Sequence, residues 1–288
     1  MRQQRHRWAA LAAAAALVLA AVTGCSSDDS GVDREALRDE LPQQILDSGK
    51  LSVGTNAPFA PMEFRDARDH LVGFDIDVVN AIGETLGVTA DFLQSPFPAL
   101  LPGVVGGEFD VAARGLFDTK QRQEQVDMVT YYSAGTQWAA RSADPVDPNN
   151  ACGLKVGAEV DTVQFTTELP AKSAACTDAG QEAVTVVPYD NVDLAIEALL
   201  ESGVDAVSAD SPVVLYAVKN SDGELAAAGD PFDTQPYALA VAKGSSLGPV
   251  LQKVIQQMID DGDMQEIAEK WGLQPGLIET STVNGATS

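Results

Sequence analysis

Short apolar runs that read as strands alternate with stretches whose apolar residues recur at helical spacing. Sustained over residues 49–273, this alternation specifies a mostly parallel sheet with helices on its faces, an α/β fold. Leu51-Ser52-Val53-Gly54-Thr55 reads as the first strand. A helix starts at Asp75, where Ile76, Val79, Ile82 and Leu86 share one stripe, Asp75 and Asp77 suit the positive N-terminal end, and Gly87 stops it. Residues 99–105 read as a shorter helix ending at Gly106-Gly107, and residues 109–113 as a buried strand. Asp118 or Thr119 caps the next helix, and residues 129–138 form a strand-like passage out of a first lobe. A second set opens at Leu154-Lys155-Val156, with a helix over 192–200 stopped by Gly203 and a strand over 205–209. Segments 100–112 and 195–207 each read as helix, glycine stop and Asp-led strand, which favours two lobes of similar build. Helices over 247–258 and 264–271 follow, the first with Leu247, Val250, Leu251, Val254, Ile255 and Met258 in one core-facing stripe.

Charge and composition remove several classes of function. With 18 Lys and Arg against 42 Asp and Glu in 288 residues, the net charge of −24 argues against nucleic acid as a partner. Three cysteines and two histidines, His6 and His70, leave no metal-ligand cluster, and no motif calls for a cofactor. Arg2, Arg5 and Arg7 precede an apolar run over 8–22, the pattern of an export signal. That run ends in Val22-Thr23-Gly24-Cys25, which resembles the bacterial lipobox. The resemblance implies a signal peptide over 1–24, cleavage before Cys25, and a diacylglycerol with a further acyl chain such as palmitate on Cys25. The alternative is an ordinary secretory signal in which Cys25 is incidental. Residues 25–48 are polar and then charged, and read as a flexible tether; residues 275–288 read as a loose tail.

Gly73-Phe74-Asp75-Ile76-Asp77-Val78-Val79-Asn80-Ala81-Ile82-Gly83 resembles a motif of the family 3 bacterial solute-binding proteins, the polar amino-acid receptors of ABC importers. The likeness extends through Thr55-Asn56-Ala57-Pro58-Phe59-Ala60-Pro61-Met62-Glu63-Phe64, Asp118-Thr119-Lys120-Gln121-Arg122-Gln123, Asp260-Asp261-Gly262 and Lys270-Trp271-Gly272. It implies a two-lobed clamp of the type II periplasmic-binding-protein fold, with two chain crossings between lobes near 133–135 and 235–238. The expected divisions are lobe 1 over 49–134, lobe 2 over 135–236, a return to lobe 1 over 237–274, and a ligand held between the lobes. The implied setting is extracytoplasmic, as a monomer lipid-anchored to the membrane that hands its ligand to permease subunits.

A zwitterionic amino acid taken out of water needs a cation for its carboxylate, an anion for its ammonium and apolar walls. Arg122, in the first turns of the helix opened by Asp118-Thr119, matches the family's carboxylate clamp. Asp210, at the carboxyl end of the 205–209 strand, matches the ammonium-binding aspartate, although Asp210-Ser211-Pro212 is also a plain helix start. Thr162 matches a second carboxylate contact and Gln164 lies two positions on; for both, a loop or capping role is an equal alternative. Phe59 and Phe97 match the aromatic walls, with core packing as the other reading. Asn56 stands where many members carry Asp, which disfavours basic ligands, and Gly115 matches a close main-chain approach.

Three departures bear on the ligand: Arg114 in a small-residue position, Phe117 in place of a hydroxyl residue, and Glu159 ahead of Thr162. Arg114 either meets a second ligand carboxylate or pairs with Glu159 across the closed cleft. Glutamine or glutamate is the favoured ligand. Cys152 and Cys176 fall in one lobe and face an oxidising compartment after export, so a disulfide is expected. Two other functions stand beside this one. The first is an exported enzyme of the cyclohexadienyl or arogenate dehydratase kind, with Asp210 and Glu159 as an imagined acid–base pair. The second is a ligand-sensing lipoprotein acting through a separate partner.

Overall fold

The computed structural model describes residues 34–286, so the export signal and Cys25 lie outside the described residues. Helices α1 (Arg34–Asp39) and α2 (Gln43–Ser48) precede strand β1 (Lys50–Thr55). A hairpin of β2 (Phe64–Arg65) and β3 (Leu71–Val72) leads into α3 (Phe74–Leu86), β4 (Thr89–Gln94), α4 (Leu100–Gly106) and β5 (Val111–Phe117). After the single turn α5 (Lys120–Gln123) comes the long strand β6 (Val126–Arg141). Next are β7 (Lys155–Glu159), α6 (Leu169–Asp178), β8 (Thr185–Tyr189), α7 (Val192–Leu200), β9 (Ala206–Asp210) and α8 (Ser211–Lys219). Strand β10 (Leu225–Ala242) and helices α9 (Leu247–Asp261) and α10 (Asp263–Trp271) complete the order.

The large sheet runs β4-β1-β5-β10-β6-β9-β7-β8. At one end β1 lies between β4 and β5 with all three parallel, and at the other β7 lies between β8 and β9 in the same way. The two halves echo each other, as the paired helix-glycine-strand segments predict. Antiparallel β6 and β10 join them, and they are the two chain crossings. Strand β10 meets β5 only over Tyr237–Val241, and β6 meets β9 only over Thr136–Ala140. The change of half therefore falls between Ser133 and Thr136 on β6 and between Phe232 and Tyr237 on β10. Shifts of register interrupt the pairing of the two strands there. Helix α10 returns to the first half, where Lys270 Nζ and Trp271 Nε1 both donate to Asp77 Oδ2 of α3 at 2.6 and 2.7 Å.

Three expectations need correction. The strand placed at 109–113 begins at Val111, because Phe109 is spent on packing: its ring fills the space over Gly54 and Gly103, where any Cβ would approach it to 2.4 Å. The tether does not extend to residue 48. Leu37, Leu41 and Ile45 recur four residues apart and are buried in the main core, so one apolar stripe holds α1 and α2 in place despite the charged residues around it. Nor is the C-terminal segment loose. The early part of β6 has β10 on one side and no strand on the other, and the tail covers that edge. Thr130 N donates to Thr282 O at 2.9 Å, Asn284 N to Met128 O at 2.7 Å, and Ser281 is buried. Covering exposed N–H and C=O groups is reason enough for a polar segment to be ordered.

Cys152 and Cys176 are bonded, tying the approach to β7 onto α6 across a sequence separation of 24. A closure of this length limits the unfolded chain by ~3.5 kcal/mol in the loop-entropy model. Reduction, or replacement of both cysteines by serine, is expected to lower the melting temperature by several degrees. An unchanged melting curve would show that the bridge contributes nothing.

Candidate functional site

The carboxyl ends of β5, β7 and β9 converge where the halves face each other, the edge at which α/β sheets gather ligand groups. Strand β5 brings Arg114 and Gly115, β7 ends in Glu159, and β9 ends in Asp210. Gly115 has φ +50°, and a Cβ there would stand 2.9 Å from the Phe59 ring and 3.1 Å from Tyr237, so the missing side chain makes room for these two rings. Its N–H donates to Asp75 Oδ2 at 2.8 Å, and Tyr131 Oη donates to Asp75 Oδ1 at 2.7 Å. The first turn of α3 thereby fixes the strand that carries Arg114.

Arg114 fills the centre of the cleft. Its side chain is 1% exposed, and its guanidinium carbon lies 3.4 Å from the centroid of Phe59 and 4.5 Å from that of Phe97. Arg114 Nη2 donates to Glu159 Oε2 at 2.5 Å, and Nε stands 3.6 Å from Glu63 Oε1. Of the two roles open to Arg114, the pairing across the cleft is the one observed. The group that Phe59 and Phe97 both contact is this guanidinium, which belongs to the chain. Burial works against the Arg114 charge; Glu159 and then Glu63 outweigh it and hold the pKa above the ordinary arginine value. Burial also raises Glu63 well above the carboxylate range, with the nearby Asp75 charge adding to the effect, so Glu63 retains its proton more readily than an exposed acid.

The proposed zwitterion clamp lies beside this centre. Arg122 follows its N-cap Thr119, whose hydroxyl accepts from Arg122 N at 3.2 Å, and Arg122 Nη1 donates to Phe117 O at 2.9 Å. The guanidinium reaches over Phe97 at 5.7 Å. Burial lowers its pKa to about 10, and the largest opposing influence is the charge of Asp210 from the other half. Asp210 opens α8 without capping it through its side chain: Oδ1 accepts from Gln164 Nε2 at 2.7 Å and Oδ2 from Tyr237 Oη at 2.5 Å. Burial pushes its pKa to about 6, and the Tyr237 hydrogen bond opposes the rise.

The remaining predicted residues divide between lining and bracing. Thr162 donates to Glu159 O at 2.7 Å and accepts from Phe165 N at 3.3 Å, the loop role weighed for it, while Gln164 positions Asp210. Asn56 donates to Ser95 O at 2.8 Å, away from Arg114. Phe117 is buried against Tyr237 at 4.9 Å. No local pattern marks Glu63, Tyr131 and Tyr237 as site residues, since only the fold brings them to the cleft. Their one sequence signal is that Glu63 sits in a matched motif.

A small recess beside Phe59, Glu159 and Asp210 has a volume of about 10 Å³, enough for one water at most. Two wider grooves flank Pro98 outside it, one of about 510 Å³ running past Phe97 and Arg122 to Asp161 and Thr166, the other of about 560 Å³ at Asn56 and Asp190. The described residues contain no cluster of side chains suited to a metal ion.

Buried acids set the pH response. Besides Asp210, burial raises Asp75 to about 6, and Glu168 to about 7 although Ser208 and Trp138 donate to it at 2.9 and 3.2 Å. A carboxyl whose folded pKa is raised stabilises the fold at low pH, and that contribution is lost as pH climbs through the folded value. The melting temperature is therefore expected to be higher at about pH 5 than at about pH 8, and Glu168→Gln to narrow the difference. A melting temperature that rises over this interval would reverse the assignment.

Residues 51–274 match the family described as bacterial extracellular solute-binding proteins, family 3. The arginine-binding protein ArgT of Corynebacterium glutamicum is 35% identical over 246 residues, covering 85% of this chain and 81% of that protein. Two solved structures of an ancestral arginine-binding protein superpose with a TM-score of 0.70. One, bound to arginine, is 36% identical over 77% of this chain and 98% of that one. The other, bound to glutamine, is 35% identical over 78% and 98%. With its two-lobed type II periplasmic-binding-protein fold, the chain belongs to family 3 of the bacterial extracellular solute-binding proteins.

Proposed function

We propose that this protein is the receptor of an ABC importer for a polar amino acid, held between its lobes with Arg122 on the carboxylate and Asp210 on the ammonium. The observation that carries the reading is the opposition of these two charges across the cleft, one after β5 and the other at the end of β9. Each is bonded to fixed protein groups, so the ligand would meet an arrangement set in advance. Relatives named for arginine binding, and a related structure holding glutamine, support an amino acid as the solute.

For the ligand's side chain, glutamine is the reading that fits the charges. Glu159 already has a cation in Arg114, and Arg114 already has its anion, so neither a basic nor an acidic side chain finds an unmatched partner there. Arginine is the second reading, favoured by the relatives above. An acid–base pair of Asp210 and Glu159 is poorly supported, because Gln164 and Tyr237 hold the first and Arg114 the second. The lipobox supports an extracytoplasmic receptor anchored through Cys25; labelled palmitate should enter the native protein in cells and not a Cys25→Ala variant.

Calorimetry of the ligand-stripped protein against the twenty amino acids tests the function directly. Glutamine should bind one to one, and Arg122→Ala should weaken binding by roughly a hundredfold or more while circular dichroism stays native. Near-native affinity in that variant would refute the clamp.

A further inference from the structure

Arg114 lies against Phe59 and Phe97, the two rings that the family resemblance assigns to the walls around a ligand. A guanidinium taken out of water needs an aromatic face for its plane and carboxylates for its edge. Here Phe59 and Phe97 supply the faces at 3.4 and 4.5 Å, Glu159 a hydrogen bond at 2.5 Å, and Glu63 a second carboxyl at 3.6 Å. These groups come from both halves of the molecule, since Glu159 ends β7 while Phe59 and Glu63 lie between β1 and β2. The fit is incomplete for a purely structural ion pair: Arg114 Nε and Glu159 Oε1 are buried without a hydrogen-bond partner.

We propose that Phe59, Phe97, Glu63 and Glu159 form a recognition cradle for a guanidinium, that the chain fills this cradle with its own Arg114, and that Arg114 thereby sets ligand choice by excluding amino acids with guanidinium side chains. The inference rests on the amino-acid receptor reading and deepens it. A ligand arginine would compete with Arg114 for the same rings and the same carboxylates, and two cations cannot share them. A neutral amide side chain that stops short of the cradle escapes this competition once the lobes part. Arg114 also links β5 to the end of β7, so the same contact draws the halves together without a ligand.

The test compares the native protein with Arg114→Ala. Thermal unfolding is followed in millimolar guanidinium chloride against sodium chloride of equal ionic strength, and arginine and glutamine affinities are measured by calorimetry. Guanidinium should raise the melting temperature of the variant and leave that of the native protein unchanged. Arginine affinity should increase by roughly tenfold or more in the variant, with a smaller change for glutamine. A folded variant with no response to guanidinium, or a native protein that binds arginine as tightly as the variant, overturns the proposal. If neither protein binds any amino acid, the receptor reading fails, and the guanidinium measurement still decides whether the cradle exists. Should the alanine variant not fold, Arg114→Met keeps the stem against Phe59 while removing the guanidinium, and the same responses are expected.

Discussion

Strands β6 and β10 pair from Arg141 with Leu225 at one end to Val126 with Ala242 at the other. All other strands of the large sheet attach outward from this ribbon, three on each side. The ribbon makes a single sheet out of two parallel half-sheets and is also the route by which the chain passes between them. Its register shifts lie where the partners change from β5 to β9. A backbone that changes neighbours there has fewer fixed hydrogen bonds, which suits the hinge of a clamp.

The cleft beside this ribbon is crowded with charge. Arg114 and Arg122 face Glu63, Asp75, Glu159 and Asp210, and the raised pKa values of the acids follow from burial more than from one another. Such a set persists only if its members hold each other, and Tyr131, Tyr237, Gln164 and Gly115 supply the neutral donors that fix the carboxylates. The result is a cleft whose charged side chains hold one another, with Arg114 paired to Glu159 and stacked on Phe59.

Much of this was legible in the residues. The stripe of α3 and its glycine stop, the helix at Val192–Leu200 and the strand leading to Asp210 follow from spacing and from residues with particular backbone preferences, both local properties. The places of Arg122 behind its Thr119 cap and of Asp210 at the end of β9 were legible as well, because each follows a recognisable strand or cap. The helices before β1 and the ordered C-terminal segment were not. In the first case three leucine and isoleucine residues were diluted by charged neighbours; in the second the partner is an unpaired strand edge, which no local pattern reveals.

The sequence by itself determined the alternating architecture, the family and the pair of cysteines, since each depends on residue type and spacing along the chain. Only the tertiary structure decided what Arg114 does. Its neighbours come from three separate segments, Phe59 and Glu63 from one turn, Phe97 from a second and Glu159 from the end of β7, and what such a residue meets is fixed by distances across the cleft. Those distances arise from how the two halves pack on the β6–β10 ribbon, a property of the whole fold that no stretch of sequence contains.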